Sequence, residues 1–280
     1  MDQATFAKAR QNPVRLGRFY EEAPHRIEET SRTWILRSAS FAVAYSTAAA
    51  GAEFLSPHFP DEHLAYCPDT PMQVTSQSEQ ASCQADSLAI LPPGRSSIRL
   101  SGEGRLIRIF SRHSADLLEI GLDTGACTPE KADFAAWPEP PGGFRLRSYH
   151  LPDHDRPETL NRLFQSSNLM VNIFRPRLVP RDMAELSPHS HADFQQGSLA
   201  LEGTWIHHLR FPWGKDMRQW QDDEHIEVAS PSLIVIPETV IHTSQNLTSG
   251  RLIDIFAPPR ADFAGKSGVV CNAADYPYPF

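Results

Sequence analysis

The chain has 280 residues, of which 40% are hydrophobic, and its formal net charge at pH 7 is −8. A chain of this length can bury the cores of two ordinary domains, so disulfides are not required for stability. The acidic balance and the lack of a long basic run argue against nucleic acid and against an anionic membrane as partners.

The start of the chain gives no targeting signal. Residues 1–14 lack the apolar core of a signal peptide, and no apolar run approaches the roughly 18 residues of a membrane span. We therefore expect a cytoplasmic protein. Its four cysteines form no C-x-x-C pair and are expected to be reduced and buried. They are Cys67, Cys83, Cys127 and Cys271.

The first predicted elements belong to a long internal repeat, with an offset of roughly 130 to 146 residues. The matched pairs are 14–16 with 144–146, 55–58 with 186–189, 87–92 with 232–237, 104–110 with 250–256, and 115–116 with 261–262. Matches in the same order indicate two similar domains. A Pro- and Gly-rich segment separates them. The predicted boundaries are 1–131 for the N-terminal domain, 132–143 for the linker and 144–280 for the C-terminal domain.

Within each copy the predicted elements are short strands. Residues 41–45, 169–174 and 252–256 are rich in β-branched and aromatic side chains, and turn residues separate such runs. One short helix is predicted at 157–164. The charged residues at 61–63 and 222–225 are interpreted as surface loops. The pattern predicts an all-β fold of two barrels or sandwiches.

The second copy carries three histidines with the spacing of metal ligands. His189 and His191 are two residues apart, so on a strand their imidazoles would point to the same side. The other histidine, His242, follows Pro237 by five residues and precedes Asn246 by four. Pro237 also ends a predicted strand, so His242 would begin the next one. Together they predict one metal site.

These residues resemble the two motifs of the cupin superfamily, G-x5-H-x-H-x3-4-E-x6-G and G-x5-P-x-G-x2-H-x3-N. The first motif is matched at His189, His191 and Gly203, and the second at Pro237, His242 and Asn246. The resemblance implies two cupin-like β-barrel (jelly-roll) domains. Three positions depart from the motifs: Gln stands for the acidic ligand, Thr239 for the turn glycine and Pro231 for the leading glycine.

The fourth ligand is either Gln196 or Gln195. The family spacing allows both, and the distance to Gly203 favours Gln196. A continuous strand would instead put Gln195 on the face of the histidines. Gln196 can reach the metal only if a turn or bulge interrupts the strand, and Asp193 tolerates such a turn.

The first copy lacks these ligands. His58 matches His189, but Pro60 stands at the position of His191 and Ser97 at that of His242. A single histidine cannot hold a metal, so the N-terminal domain is predicted to be metal-free.

The predicted ligand set consists of neutral groups, so a bound divalent ion would keep its full charge. Zn, Mn, Fe, Ni or Cu would suit it. The first hypothesis is a non-redox enzyme that isomerises, opens or eliminates a small sugar acid or keto acid, similar in its ligands to the cupins that linearise unsaturated uronates. The alternatives are a dioxygenase of the bicupin type and a binding or sensor protein without turnover. The expected partner is a small-molecule substrate, and a homodimer is possible.

The segment 205–215 between the two motifs is rich in aromatic and cationic residues that would lie at the barrel mouth. The candidate catalytic residues are His207, His208 and Arg210, and the candidate substrate-binding residues are Trp205, Trp213 and Lys215. One of the two histidines would face inward and act as acid or base, and a cation would hold a carboxylate. The alternative is a strand with an ordinary solvent face.

Overall fold

The computed structural model describes residues 13–77, 79–115 and 137–279. The strands of its first half are β1 (Arg15–Gly17), β2 (Arg26–Ile27), β3 (Ser31–Arg37), β4 (Phe41–Ala48), β5 (Glu53–Phe59), β6 (His63–Cys67), β7 (Met72–Ser76), β8 (Glu79–Cys83), β9 (Ser87–Leu91), β10 (Gly94–Leu100) and β11 (Gly104–Ser111). Those of the second half are β12 (Arg147–His150), β13 (Leu163–Gln165), β14 (Met170–Ile173), β15 (Gln196–Glu202), β16 (Trp205–Arg210), β17 (Glu224–Val228), β18 (Ser232–Ile236), β19 (Ile241–Asn246) and β20 (Arg251–Phe256). Two short α-helices, α1 (Arg112–Ala115) and α2 (Ala261–Ala264), follow the last strand of each half. The predicted all-β class is confirmed.

Each half consists of a large and a small antiparallel sheet. In the first half the large sheet has the order β12-β9-β6-β11-β4-β3-β2 and the small one β5-β10-β7-β8. In the second half the orders are β1-β18-β15-β20-β14-β13 and β17-β16-β19. The two large sheets match strand for strand from β12 and β1 onward. The chain therefore contains two similar jelly rolls, as the repeat predicted.

The two halves exchange one edge strand each. Strand β1 pairs with β18 of the second half, and β12 pairs with β9 of the first half. Residues 137–143 of the predicted linker form turns and loop, whereas 132–136 lie outside the described residues. The domain boundaries remain a proposal, since each half completes the sheet of the other.

The largest hydrophobic core lies between the two large sheets and joins the halves. Tyr66 and Ile107 contribute to it from the first half, and Leu199 and Ile253 from the second. Successive side chains of a strand point to opposite faces. Alternate residues such as Ala65 therefore face the interior of their own half, which forms a separate core.

Two local predictions are corrected, and a third is confirmed only in its exposure. No helix forms at 157–164, because Leu163 and Phe164 enter β13 and pair with β14. The acidic residues at 61–63 are not in a surface loop. Glu62 is fully buried, and its carboxylate accepts hydrogen bonds from Ser167 and Tyr276 of the other half. The stretch 222–225 is exposed as predicted, although β17 begins within it.

Cys67 and Cys83 are free and buried, as predicted, and Cys271 is free but only partly buried. Cys127 and residues 1–12 lie outside the described part of the chain. Within the ranges given above, no helix is long and apolar enough to cross a membrane.

Candidate metal centre

Three histidines meet at one end of the second jelly roll. One potential ligand atom from each of His189, His191 and His242 lies within 4.8 Å of the others. The expected continuous strand through the first two is not present. Instead, His189 forms an isolated antiparallel bridge with His242, with backbone N to O distances of 3.1 and 2.8 Å. This pair of hydrogen bonds fixes the separation of the two rings, whose centroids are 4.5 Å apart.

Backbone carbonyls set the tautomers of two of these rings. The Nδ1 of His189 lies 2.9 Å from the carbonyl of Ser187, and the Nδ1 of His242 lies 2.9 Å from that of Val240. A carbonyl only accepts, so each Nδ1 carries the proton and donates it. Each Nε2 then keeps its lone pair, which is the state that a metal requires.

Burial keeps the two inner imidazoles neutral. It lowers the pKa of His191 to about 4, with a smaller contribution from the positive charge of Arg260. Burial likewise lowers the pKa of His242 to about 3, although the carbonyl of Val240 acts in the opposite direction. At neutral pH both rings can bind a cation without first losing a proton.

Gln196, and not Gln195, faces the histidines. The chain bends at Ala192 and Asp193, and Gln196 is the first residue of β15. Its Oε1 lies 3.0 Å from the Nε2 of His191 and 3.2 Å from that of His242. Gln195 turns to the first half, where its Oε1 accepts a hydrogen bond from the backbone of Ala39 at 2.8 Å.

A buried polar relay orients this amide. The hydroxyl of Ser198 lies 2.6 Å from Asp254 and 3.1 Å from the Nε2 of Gln196. An ionised Asp254 only accepts, so Ser198 donates to it and accepts from the amide nitrogen of Gln196. The amide oxygen must then point at the histidines. Asp254 is a site residue that the sequence reasoning missed.

This arrangement fits a metal ion. The Nε2 lone pair of His242 and the Oε1 of Gln196 are both acceptors, yet they face each other at 3.2 Å. Two acceptors repel unless a positive charge lies between them. Three imidazole nitrogens and one amide oxygen form a donor set suited to a divalent transition metal.

Two turns hold the motif in place. Thr239 has φ of 69°, a left-handed conformation, and its N–H donates to the carbonyl of His191. The cupin motif has glycine here, which such a φ favours. Gly203 has φ of 86°, and a Cβ there would lie 2.4 Å from the carbonyl oxygen of Ser249. The motif glycine at 203 is therefore required by the backbone.

The histidine group opens into a cavity of about 330 Å³. His189, Gln196, His242, Asp254 and Trp205 line it. Three arginines also line it, and none of them was predicted: Arg177, Arg181 and Arg260. The guanidinium of Arg181 donates to the carbonyl of Ser244 at 3.1 Å, and that of Arg260 pairs with Asp262 at 2.7 Å. The cavity is therefore suited to an anionic molecule.

Of the predicted catalytic residues, His207 lies next to the site and the others lie away from it. His207 is buried on β16, its Nδ1 is 2.8 Å from the hydroxyl of Ser244, and burial lowers its pKa to about 4. His208 points to the other face of the strand, where its Nδ1 lies 2.8 Å from that of His225. Arg210 is exposed and forms a bidentate pair with Asp223. Since successive strand residues alternate faces, only one of the two histidines can face inward.

Of the predicted substrate-binding residues, one lines the cavity and two lie on the surface. Trp205 is buried and lines the cavity. Trp213 is 63% exposed and stacks on Trp220 with ring centroids 4.2 Å apart, and Lys215 is exposed in the same loop. Neither of the latter is among the described residues that line the cavity. The loop that carries them connects β16 to the edge strand β17.

No family model matches the sequence, and the curated proteins give no match either. Solved structures share its fold. Oxalate decarboxylase from Lactobacillus farciminis, in a formate complex, is 12% identical with a TM-score of 0.61, over 95% of this chain and 96% of that one. A variant of oxalate decarboxylase from Bacillus subtilis is 13% identical with a TM-score of 0.62, over 88% and 77%. A cupin 2 conserved barrel domain protein from Leptotrichia buccalis is 11% identical with a TM-score of 0.51, over 88% and 96%.

Proposed function

We propose that this chain, which has the cupin fold with two jelly rolls, is a metal-dependent enzyme that acts without redox change on a small carboxylic acid. The substrate class is a sugar acid or keto acid, and the reaction an isomerisation, ring opening or elimination. One observation carries the proposal: a three-histidine group with a neutral fourth donor opens into a cavity lined by three arginines.

The donor set favours Lewis-acid chemistry. His189, His191, His242 and Gln196 are all uncharged as ligands, so they leave the charge of a divalent ion undiminished. Such an ion, when bound, polarises a carbonyl or hydroxyl of the substrate. The half-buried carboxylate of Asp254 lies behind Gln196 and orients it through Ser198.

The cavity supplies binding groups for the acid. Its volume of about 330 Å³ is near the lower end for small-molecule sites, ~300–1,000 Å³. Arg177 and Arg260 would hold a carboxylate by charge-assisted hydrogen bonds. Asp254 lines the same cavity and is the carboxylate placed to accept or return a proton during the reaction.

The similar structures suggest which metal to test first. For the Bacillus subtilis oxalate decarboxylase, Mn(II) centres are described. Imidazole and oxygen donors suit Mn as well as Zn, Fe, Ni and Cu, so the ligand types leave the metal open. We place Mn first in the trials and treat the others as alternatives.

Elemental analysis of the purified protein tests the centre. We expect one divalent metal per chain, lost in His191→Ala and retained in the matched control His58→Ala, whose histidine is exposed on β5. Two metals per chain, or retention of metal by His191→Ala, would contradict the assignment.

Incubation of the metal-loaded protein with a panel of sugar acids and keto acids, followed by NMR, tests the reaction. We expect conversion of at least one acid without oxygen consumption, and a loss of turnover in Arg177→Gln. Stoichiometric oxygen uptake would instead establish a dioxygenase. Tight binding without conversion would establish a binding protein.

A further inference from the structure

The first jelly roll has a polar group at the place where the second has its metal centre. Phe110 pairs with His63, as Phe256 pairs with Gln196, so His63 takes the position of Gln196. Arg108 precedes Phe110 by two residues and therefore takes the position of Asp254.

Two serines take the positions of metal-binding histidines. Ser96 pairs with Ser56 between β10 and β5, as His242 pairs with His189. Both serines are buried and face the interior, which makes Ser96, and not Ser97, the counterpart of His242. A third buried serine, Ser76, lies opposite Ser96 on β7.

These groups cannot replace the metal site, because they offer only one imidazole. They form instead a set of buried polar atoms with no hydrogen-bond partner among the described residues. The atoms are the Nε of Arg108, both ring nitrogens of His63 and the hydroxyls of Ser56, Ser76 and Ser96. Buried polar groups are nearly always paired with protein, water or a ligand. Several such atoms from five strands, all in one interior, indicate a missing partner.

The charge of Arg108 defines that partner. Arg108 is 8% exposed, and its guanidinium packs over the ring of Phe54 at 4.8 Å without an ion pair in the part of the chain that is described. Burial lowers its pKa to about 10, so it stays charged at neutral pH; the charge of Arg26 acts in the same direction, and the negative charge of Glu28 opposes it without forming an ion pair. A buried cation without a counter-ion is unfavourable, and an anion would relieve it.

We propose that the first jelly roll binds a small carboxylate anion in its interior, held by Arg108, His63 and the three serines. The guanidinium would donate to the carboxylate oxygens, an imidazole N–H and the hydroxyls would complete the site, and Phe59 and Phe110 would pack on the apolar part of the ligand. Both rings contact His63, with centroids 5.0 and 5.4 Å away. The site is independent of the metal centre.

Isothermal titration with sodium acetate tests the site, with sodium chloride of equal ionic strength as the reference. The His191→Ala/Arg177→Gln double variant of the full chain serves as the background, because it removes one metal ligand and one carboxylate-binding arginine of the second half. We expect one acetate per chain. Arg108→Met should weaken the binding at least tenfold, while Arg99→Gln, at an exposed position on β10 of the small sheet, should leave it unchanged.

If Arg108→Met binds no acetate, thermal unfolding shows whether the variant is still folded. That variant should unfold at the same or a higher temperature than its parent without acetate, because it loses an unpaired buried charge, and acetate should no longer raise that temperature. Equal acetate binding by parent and Arg108→Met would overturn the proposal. So would chloride binding as tightly as acetate, or a crystal structure in acetate with only water at these six atoms.

Discussion

Replacing Asp254 by Asn should stabilise the metal-free protein and weaken its binding of metal. Burial raises the pKa of Asp254 from 3.8 to about 6, against the hydrogen bond from Ser198. The folded state therefore holds this proton more tightly than the unfolded state does. The contribution of Asp254 to the free energy of unfolding is therefore largest below pH 4, falls as the pH rises to about 6, and stays low above it.

The magnitude follows from the size of that rise. A rise of this size corresponds to about 3 kcal/mol for a carboxylate sealed from solvent. Because the side chain is still partly exposed to the cavity, we expect about 1–2 kcal/mol. Asn is uncharged at every pH, so the variant should gain this amount at pH 7.5 and almost nothing at pH 4.

The same substitution should reduce metal affinity. Asn can turn its amide and donate to Ser198, which would release Gln196 from its single orientation. Loss of such a supporting group typically lowers metal affinity about 10- to 100-fold. Urea unfolding in EDTA at both pH values measures the first effect, and calorimetric titration with MnCl2 the second. The exposed Asp222→Asn is the control.

Two results would refute this reasoning. One is a metal-free Asp254→Asn protein that is less stable than the parent at pH 7.5. The other is an unchanged affinity for Mn²⁺, which would mean that the relay does not orient Gln196.

Three further substitutions should change metal binding or stability in a stated direction. Gln196→Glu should tighten metal binding and lower turnover, because a carboxylate reduces the effective charge of the ion. Gln195→Glu should change neither the affinity nor the turnover. If calorimetry and turnover assays show the reverse pattern, Gln195 is the ligand. Thr239→Gly should raise the free energy of unfolding by about 1 kcal/mol, since a left-handed residue with a Cβ costs about 1–2 kcal/mol; a lower urea midpoint would show that Thr239 is unstrained. Gly203→Ala should destabilise by about 2 kcal/mol or more, because its Cβ would clash with the backbone of Ser249, and an unchanged melting temperature would contradict that.

The features that the sequence predicted well are those that depend on the spacing of residues along the chain. The repeat predicted two similar jelly rolls, and the strand order of the large sheets agrees. The spacing of His189, His191 and His242 led to three side chains that meet in space. The alternation of side chains on a strand also predicted that Gln196 can face the histidines only if the strand is interrupted. The bend at Asp193 is that interruption.

The features that were missed depend on which face of a strand meets the cavity. The aromatic and cationic segment 205–215 suggested a barrel mouth, yet Arg210 and Trp213 lie on the outer surface. The arginines of the cavity come from loops whose paths no local pattern defines. One signal was available: Arg108 and Asp254 are charged residues at matching positions of the apolar runs 106–110 and 252–256, which is unusual for a buried strand.

The exchange of edge strands affects how the chain can be synthesised and folded. Strand β1 leaves the ribosome before its partner β18, which follows more than two hundred residues later. At about 5–20 residues per second, β1 waits roughly 10–40 s before it can pair. The first half gains its own edge strand β12 only after the linker has been made. Neither half is a self-sufficient folding unit, and a gene split at the linker would encode two fragments that each carry the other's missing strand.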